Sequence, residues 1–254
     1  MAVNEYLTLQ CKVVCVSSLF VEVNVPSWRR GGALCRGVPE SLASWSNEGP
    51  RWWILCGVFI CIGSGLYGLT IGFWRSPMQG LYTGIKLPVL MLLVAGGNAL
   101  LNGLIAILLG ARMTFRQTFS SMLMCFSIAA LILGALSPVF LFMLLNVPPQ
   151  SEGDWNFIYN CLVLFHVSAI AFAGIISNLR LSALVSYHVD TRQRARTIMA
   201  CWLAGNLLLG AQLSWNLRPF FGTPEMSVEF FRNDAFDRNF FEAIGNIFQQ
   251  LNQA

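Results

Sequence analysis

Five long runs of uncharged, mostly apolar residues dominate the chain after residue 50. An α-helix of about 20 apolar residues crosses a hydrocarbon core about 30 Å thick, and every run reaches that length. None of them alternates with the period of two that a barrel strand would show. The pattern therefore predicts an all-α fold, a polytopic membrane helix bundle with about five transmembrane helices. The predicted spans are 52–73, 87–110, 117–146, 155–179 and 197–217.

Two prolines bear on the limits of these spans. Pro88 lies near the start of the second span and fits the first turn of a helix. Pro138 lies well inside the third run, where it predicts either a kink or an early end of the helix. Pro148 and Pro149 then mark the end of that run.

Composition supports lipid as the solvent of this chain. Hydrophobic residues make up 56% of the 254 residues, charged residues 11%, and the mean hydropathy is +0.61. Soluble domains carry roughly 25% charged residues. The polar residues are too few to cover the surface of a water-soluble fold of this size. We therefore expect the lipid bilayer to be the first partner of the protein.

The sequence divides into three parts. Residues 1–50 form a polar N-terminal segment, residues 51–217 the five-helix transmembrane domain, and residues 218–254 a tail with an amphipathic pattern. In the tail, apolar residues recur at helical spacing behind a possible cap at Asn233 or Asp234. The helix would pack on the protein's own loops, lie on the membrane surface, or dock in a groove of a partner. Its apolar face contains Phe236, Phe240, Phe241, Ile244, Ile247, Phe248 and Leu251.

Basic residues predict the orientation in the membrane. With the N-terminus inside, most of the 16 Lys and Arg residues fall on the cytoplasmic side, as the positive-inside rule requires. We expect the N-terminus in the cytoplasm and the C-terminus outside, in the bacterial inner (plasma) membrane, with an ER or Golgi membrane as the alternative. The residues that set this topology are Arg112, Arg116, Arg192, Arg194 and Arg196.

A few polar side chains within the predicted spans are candidates for function. Asn98 and Asn102 are four residues apart and share a helix face, and Asn206 lies in the fifth span. Such amides either hydrogen-bond to a neighbouring helix or line a polar path for a solute. His166 is the sole ionisable side chain inside any predicted span, which makes it a candidate although no carboxylate accompanies it. Lys86 falls just outside the second span, in an outer segment.

Catalytic motifs are missing from the sequence. It contains no phosphate-binding glycine loop, no HExxH, no GxSxG and no pair of intramembrane carboxylates. Cys11 and Cys15 form a CxxxC without a second pair or nearby histidines, which is weak evidence for a metal site or a disulfide. We expect no enzymatic activity, no catalytic residue, no cofactor and no metal. The basic residues form no stripe interleaved with aromatic residues, so we also expect no nucleic acid partner.

Small residues recur at four-residue steps in the spans, which predicts close helix packing. Examples are Ser64, Gly68 and Gly72, Ala99 and Gly103, and Ala130 and Gly134.

Two stretches resemble the Yip1 domain superfamily. "GARMTFRQTFSSMLMCFSIAAL" from Gly110 is similar to its short polar turn and third-helix entry, and "SYHVDTRQRARTIMACWLAG" from Ser186 to its basic loop before the last helix. The resemblance extends over residues 51–217 at most. It implies a non-enzymatic membrane protein that works through partners. We therefore expect a scaffold or accessory subunit of a membrane complex, as a homo-oligomer or with other subunits. The alternatives are a transporter or channel component and, third, a bilayer-permeabilising effector.

Overall fold

A computed structural model describes residues 27–37, 42, 44–45, 48–109, 113–147, 155–189, 191–222, 228–232, 235–237 and 239–242. Within this part of the chain there is no strand. Five of its six helices are long and apolar enough to cross a membrane. The all-α polytopic bundle is confirmed, and the protein is an integral membrane protein. The helices are α1 (Ser27–Arg36), α2 (Pro50–Phe73), α3 (Pro77–Leu108), α4 (Phe115–Leu145), α5 (Trp155–His188) and α6 (Arg192–Asn216).

The bundle buries polar residues together with an apolar core, and it exposes many large apolar side chains, unlike a water-soluble protein. Asn98, Asn102 and Lys86 are almost completely buried, whereas Ile54 is 68% and Leu108 83% exposed. In lipid, polar groups must find partners within the protein, while leucine and isoleucine side chains gain nothing by burial. This distribution is the physical signature of a bundle surrounded by hydrocarbon.

Glycines bring α2, α3 and α4 into direct backbone contact. A Cβ atom at Gly63 would overlap the carbonyl group of Ala130 on α4, and one at Gly134 would come within 2.8 Å of the Gly63 Cα. On the other side of α2, a Cβ at Gly68 would lie 2.5 Å from the Thr83 carbonyl oxygen of α3. The close packing predicted from small residues is thus present, and these three helices form the tight core of the bundle.

The remaining two transmembrane helices lie at the periphery. α6 packs Trp202 and Ile198 against the Ala99 and Ala106 side of α3. The most apolar stretch of α6 is 11% buried, compared with 44% for α2. Most of the α6 surface is therefore left for lipid or for another helix.

The second span begins about ten residues earlier than the sequence predicted. The Ser76 side chain accepts a hydrogen bond from the Gln79 N–H at 3.1 Å, and Pro77 occupies the first turn, so α3 begins at Pro77. The prediction that Pro88 lies in the first turn is wrong, because Pro88 lies inside α3. Lys86 consequently belongs to a transmembrane helix and not to an outer segment.

The third span does not end early at Pro138. α4 begins behind a capping box formed by Thr114 and Gln117, and it continues through Pro138 to Leu145. A proline is tolerated inside a transmembrane helix because neighbouring helices, side chains and small local adjustments satisfy the backbone carbonyl group that it leaves without an N–H partner. Pro148 and Pro149 lie outside the described residues.

Arg192, Arg194 and Arg196, the basic triplet before the predicted fifth span, lie in a helix and not in a loop. α5 continues to His188, and α6 begins at Arg192 behind the Thr191 side chain, which accepts a hydrogen bond from the Arg194 N–H. Positive charges at a helix N-terminus oppose the helix dipole, at a cost of about 0.3–1 kcal/mol each. Helix stability therefore does not explain these three arginines. Attraction to lipid headgroups, or retention of basic residues on one side of the membrane, does explain them.

Basic residues gather at one end of the bundle. Neighbouring helices run antiparallel, so the starts of α2, α4 and α6 point the same way, and the guanidinium of Arg116 contacts the backbone at Gly49. We refer to this end as the basic end, defined by Arg51, Arg116, Arg192, Arg194 and Arg196. The opposite end, defined by Arg75, Gln79, Lys86 and Arg218, is the far end. Arg112 lies outside the described residues.

Candidate functional site

Asn98 and Asn102 meet α6 in the half of the bundle nearer the basic end. Both residues are fully buried. The Nδ2 of Asn98 donates to the Val94 carbonyl oxygen at 2.9 Å, and the Nδ2 of Asn102 lies 3.4 Å from the Met122 sulfur. Each amide therefore has a partner for its nitrogen within the core.

The oxygens of these amides have no hydrogen-bond partner among the described residues. A Cβ atom at Gly205 would lie 3.2 Å from the Asn98 Oδ1 and 3.5 Å from the Asn102 Oδ1, so both oxygens face the same point on α6. The buried Oδ1 of Asn206, the next residue of α6, is also unpaired within the described chain. We call Asn98, Asn102, Gly205 and Asn206 the amide cluster. It can accept hydrogen bonds, but none of its members titrates.

His166 lies in a different part of the bundle. Its Nδ1 is 2.9 Å from the Tyr67 hydroxyl, and its ring stacks on Phe140 with centroids 4.4 Å apart. Phe221 approaches the same ring edge-on at 5.2 Å. The imidazole thus has a hydrogen-bond partner and aromatic neighbours, and it is 4% exposed. This environment is that of a packed core histidine.

The structure separates the candidates that the sequence grouped together. Asn102 contacts Met122 of α4, whereas His166 stacks on Phe140 of the same helix. These two α4 residues are 140 − 122 = 18 positions apart, which corresponds to about 27 Å along a helix with a rise of about 1.5 Å per residue. His166 and the amide cluster therefore do not form one site.

Lys86 is the buried polar residue that sequence reasoning missed. It is 1% exposed, and its Nζ donates to the Pro219 carbonyl oxygen at 3.1 Å. The ammonium also lies 5.0 Å from the Phe230 ring centroid and 5.9 Å from that of Phe231. The stretch Ser-Pro-Met-Gln from Ser76 is a helix-start signal that would have placed Lys86 inside a helix.

Two further side chains of α3 hold the same segment. The Thr83 hydroxyl donates to the Phe220 carbonyl oxygen at 2.7 Å, and the Gln79 amide donates to the carbonyls of Pro219 and Phe220 at 3.1 and 3.2 Å. We call Gln79, Thr83 and Lys86 with these two carbonyl groups the carbonyl clamp. It fixes the chain after α6 across the far end of the bundle.

The described part of the tail packs on the protein itself. The Phe240 N–H donates to the Gln212 Oε1 at 3.1 Å, and the Phe240 ring lies 6.2 Å from that of Trp215. Residues 235–237 form a turn, and helical residues begin at 240 behind Asn239, whose side chain accepts from the Glu242 N–H at 2.7 Å. Asn233 and Asp234, the predicted caps, lie outside the described residues. Phe236 and Phe241 are exposed, and Ile244, Ile247, Phe248 and Leu251 lie outside the described residues.

The described residues contain no cluster of three His, Cys, Asp or Glu side chains that could hold a metal ion. Their six cysteines are free thiols. Burial raises the pKa of the Cys35 thiol above its ordinary value, although the nearby Arg180 guanidinium opposes the shift. A raised pKa reduces the thiolate fraction, so Cys35 is a poor nucleophile. Cys11 and Cys15 lie outside the described residues.

No protein-family model matches the chain, and neither a curated protein nor a solved structure matches it. The resemblance to the Yip1 domain superfamily stays a prediction.

The amide cluster allows a direct test. Asn102→Leu is expected to raise the free energy of unfolding by about 1 kcal/mol, because a buried unpaired polar atom costs about 1–3 kcal/mol. The measurement is SDS-induced unfolding in detergent micelles, with Asn160→Leu at an exposed position of α5 as the control. A clear loss of stability in Asn102→Leu alone would mean that the Asn102 oxygen has a partner, such as a buried water molecule or a ligand.

Proposed function

We propose that the protein is a non-enzymatic scaffold or accessory subunit of a membrane complex. The observation that carries the proposal is the backbone contact of α2 with α3 and α4 at Gly63, Gly68 and Gly134. Helices packed this closely leave no space for a solute between them at these positions. A closely packed core with two less buried helices beside it suits a protein that supports neighbours in the membrane.

The distribution of polar groups along α3 also supports this proposal over a transporter or channel. Between Lys86 and Asn98 the buried residues of α3 are apolar: Leu87, Pro88, Val94 and Ala95. The separation is 98 − 86 = 12 positions, about 18 Å at a rise of about 1.5 Å per residue. A conduction path would need polar groups or water across that distance. Among the described residues, the unpaired oxygens of the amide cluster are the feature that favours the rival function.

The surface for neighbours is provided by α5 and α6. On α6, Leu203, Leu207 and Leu208 are 42%, 65% and 55% exposed. On α5, Leu164 and Ile175 are exposed to a similar degree. A second copy of the chain or another membrane subunit could bury these faces. Since leucine side chains alone drive little association in lipid, shape complementarity and polar contacts would determine the partner.

The proposal includes an orientation. The basic end would face the cytoplasm of a bacterial cell and the tail the other side of the inner membrane, as the positive-inside rule predicts. Impermeant reagents applied to intact cells should then modify a tag after residue 254 and leave a tag before residue 1 unmodified. Equal modification of both tags would contradict the orientation.

The experiment for the function is photo-crosslinking in the native membrane, followed by purification in mild detergent. A photo-reactive amino acid at Leu207 should give a crosslinked species well above the 28.2 kDa chain, and the same reagent at the fully buried Ile198 should not. We expect the purified particle to contain more than one chain. A strictly monomeric, partner-free particle would contradict the proposal. Solute flux in proteoliposomes that disappears in Asn102→Leu or His166→Ala would support a transporter instead.

A further inference from the structure

A cavity of about 430 Å³ opens at the basic end, between α1 and the start of α2. Its polar wall consists of Arg30 from α1, Glu48, and Arg51 and Trp52 from the first turn of α2. Its apolar wall continues along α2, with Ile54, Leu55 and Val58.

The charged residues around this cavity are two arginines and one glutamate, so one positive charge is not compensated. The Arg30 Nη1 lies 2.7 Å from the Glu48 Oε2, so this pair is neutral as a unit. The Arg30 guanidinium also lies 5.7 Å from the Trp45 ring centroid and 5.9 Å from that of Trp52, which fixes its position. Arg51 is exposed and forms no ion pair with any described residue. An anion entering the cavity would therefore meet a net positive charge.

Hydrogen-bond donors also outnumber acceptors in the wall. The Arg30 Nε and the Trp52 Nε1 are buried, and neither has a hydrogen-bond partner among the described residues. Trp52 is 1% exposed, so these two donors do not reach the open cavity. The donors that line the cavity are the guanidinium groups of Arg51 and Arg30. A phosphate group, whose oxygens only accept, is the complementary ligand of such donors.

The apolar wall indicates where such a phosphate would come from. Ile54, Leu55 and Val58 follow Arg51 by three, four and seven positions, so the four residues form one stripe along α2. Ile54 is 68% and Val58 43% exposed. The stripe leads from a guanidinium at the membrane surface into the hydrocarbon region. A phospholipid molecule has the matching arrangement, with its phosphate at the membrane surface and its acyl chain in the hydrocarbon region.

We propose that this cavity binds an anionic phospholipid from the leaflet at the basic end. Arg51 pairs with the phosphate beside the Arg30–Glu48 ion pair, and an acyl chain lies along Ile54 and Val58. Glu48 holds Arg30 in place. The assignment does not depend on whether the protein is a scaffold or a transporter.

Native mass spectrometry of the delipidated full-length protein, titrated with one lipid at a time, tests the proposal. We expect phosphatidylglycerol to bind at least fivefold more tightly than phosphatidylcholine. Arg51→Gln should weaken phosphatidylglycerol binding about fivefold, which corresponds to the contribution of about 1 kcal/mol of one basic residue at an anionic surface. Arg51→Lys, which retains the charge, should restore at least half of the lost binding. Size-exclusion profiles of all variants show whether they fold.

The matched control is Arg192→Gln, an equally exposed arginine at the same end but outside the cavity. It should leave phosphatidylglycerol binding unchanged. Equal losses in Arg51→Gln and Arg192→Gln would reduce the effect to general surface charge and overturn the proposal. Equal affinity for the two lipids would overturn it as well. Displacement of the lipid by inorganic phosphate, but not by chloride at the same ionic strength, would assign the cavity to free phosphate.

Discussion

Gly63→Val is expected to lower the free energy of unfolding by about 3 kcal/mol or more, the largest effect of any single change considered for this protein. The Gly63 Cα faces the Ala130 carbonyl group and the Gly134 Cα, so a side chain there would force α2 away from α4. Overpacking of a well-packed interior costs typically about 1–3 kcal/mol, and contact with backbone atoms leaves little room for relief. SDS-induced unfolding of the purified protein measures the loss.

Gly57→Val is the control for this change. Gly57 lies in the same helix, but a Cβ atom there would meet nothing within 4 Å. The same residue type is therefore introduced into α2 without a collision, and we expect wild-type stability within about 0.5 kcal/mol. If both variants unfolded at the same SDS fraction, the backbone contact between α2 and α4 would not exist. The observation that carries the scaffold proposal would then be lost.

Lys86→Met is expected to release the segment after α6 from the far end of the bundle. The change removes the hydrogen bond to the Pro219 carbonyl oxygen and the contacts of the ammonium with Phe230 and Phe231. A desolvated cation–π contact contributes up to about 2 kcal/mol. Part of that is recovered because a charge no longer has to be buried. We expect the free energy needed to detach the segment to fall by about 1.4 kcal/mol. The detached population, and with it the rate of tryptic cleavage after Arg232, should then rise about tenfold.

The stability of the bundle itself should change little in Lys86→Met, since Gln79 still donates to the Pro219 carbonyl. Ile85→Met provides the control, because the neighbouring side chain is 48% exposed on the outer surface of α3. Its cleavage rate after Arg232 should equal that of the wild type. A Lys86→Met protein that is cleaved no faster than the control would show that the ammonium does not hold the segment.

The two variants also separate the parts of the proposed architecture. Gly63→Val affects the core of α2, α3 and α4, whereas Lys86→Met affects the docking of the segment that follows α6. If the far-end segment contacts a partner, Lys86→Met would weaken the complex while leaving the bundle folded. Gly63→Val would destroy both, because the partner surface on α5 and α6 depends on the core beneath it.

Helix limits were predictable where a helix begins or ends with its apolar run, and they were missed where a helix continues through polar or charged residues. The start of α2 and both ends of α4 agree with the apolar runs to within two residues. The start of α3 was missed because the prediction began the span after Lys86, although Ser76 and Pro77 signal a helix start. Charged residues at the ends of α5 and α6 were likewise placed in loops. A lysine or arginine can continue a membrane helix when its head group reaches water or a carbonyl oxygen.

The candidate sites were predictable as residues but not as groups. Asn98, Asn102 and His166 are conspicuous because polar side chains are rare in apolar runs. Gly205, which faces the amide oxygens, and Tyr67, which hydrogen-bonds to the imidazole, are each more than 90 positions away along the chain. The carbonyl clamp joins residues 133 positions apart. No local pattern contains such information.

By itself, the sequence determined the number of transmembrane helices, their apolar character and the concentration of arginine at one end. These follow from the solvent, because hydrocarbon tolerates closed helices of apolar residues and excludes exposed charge. The tertiary structure alone decided that α2, α3 and α4 form the core, that His166 lies apart from the amides, and that Lys86 is buried under the tail. Helices that are apolar on every side do not indicate which face points inward. That choice is made by the fit between small residues and backbones of different helices.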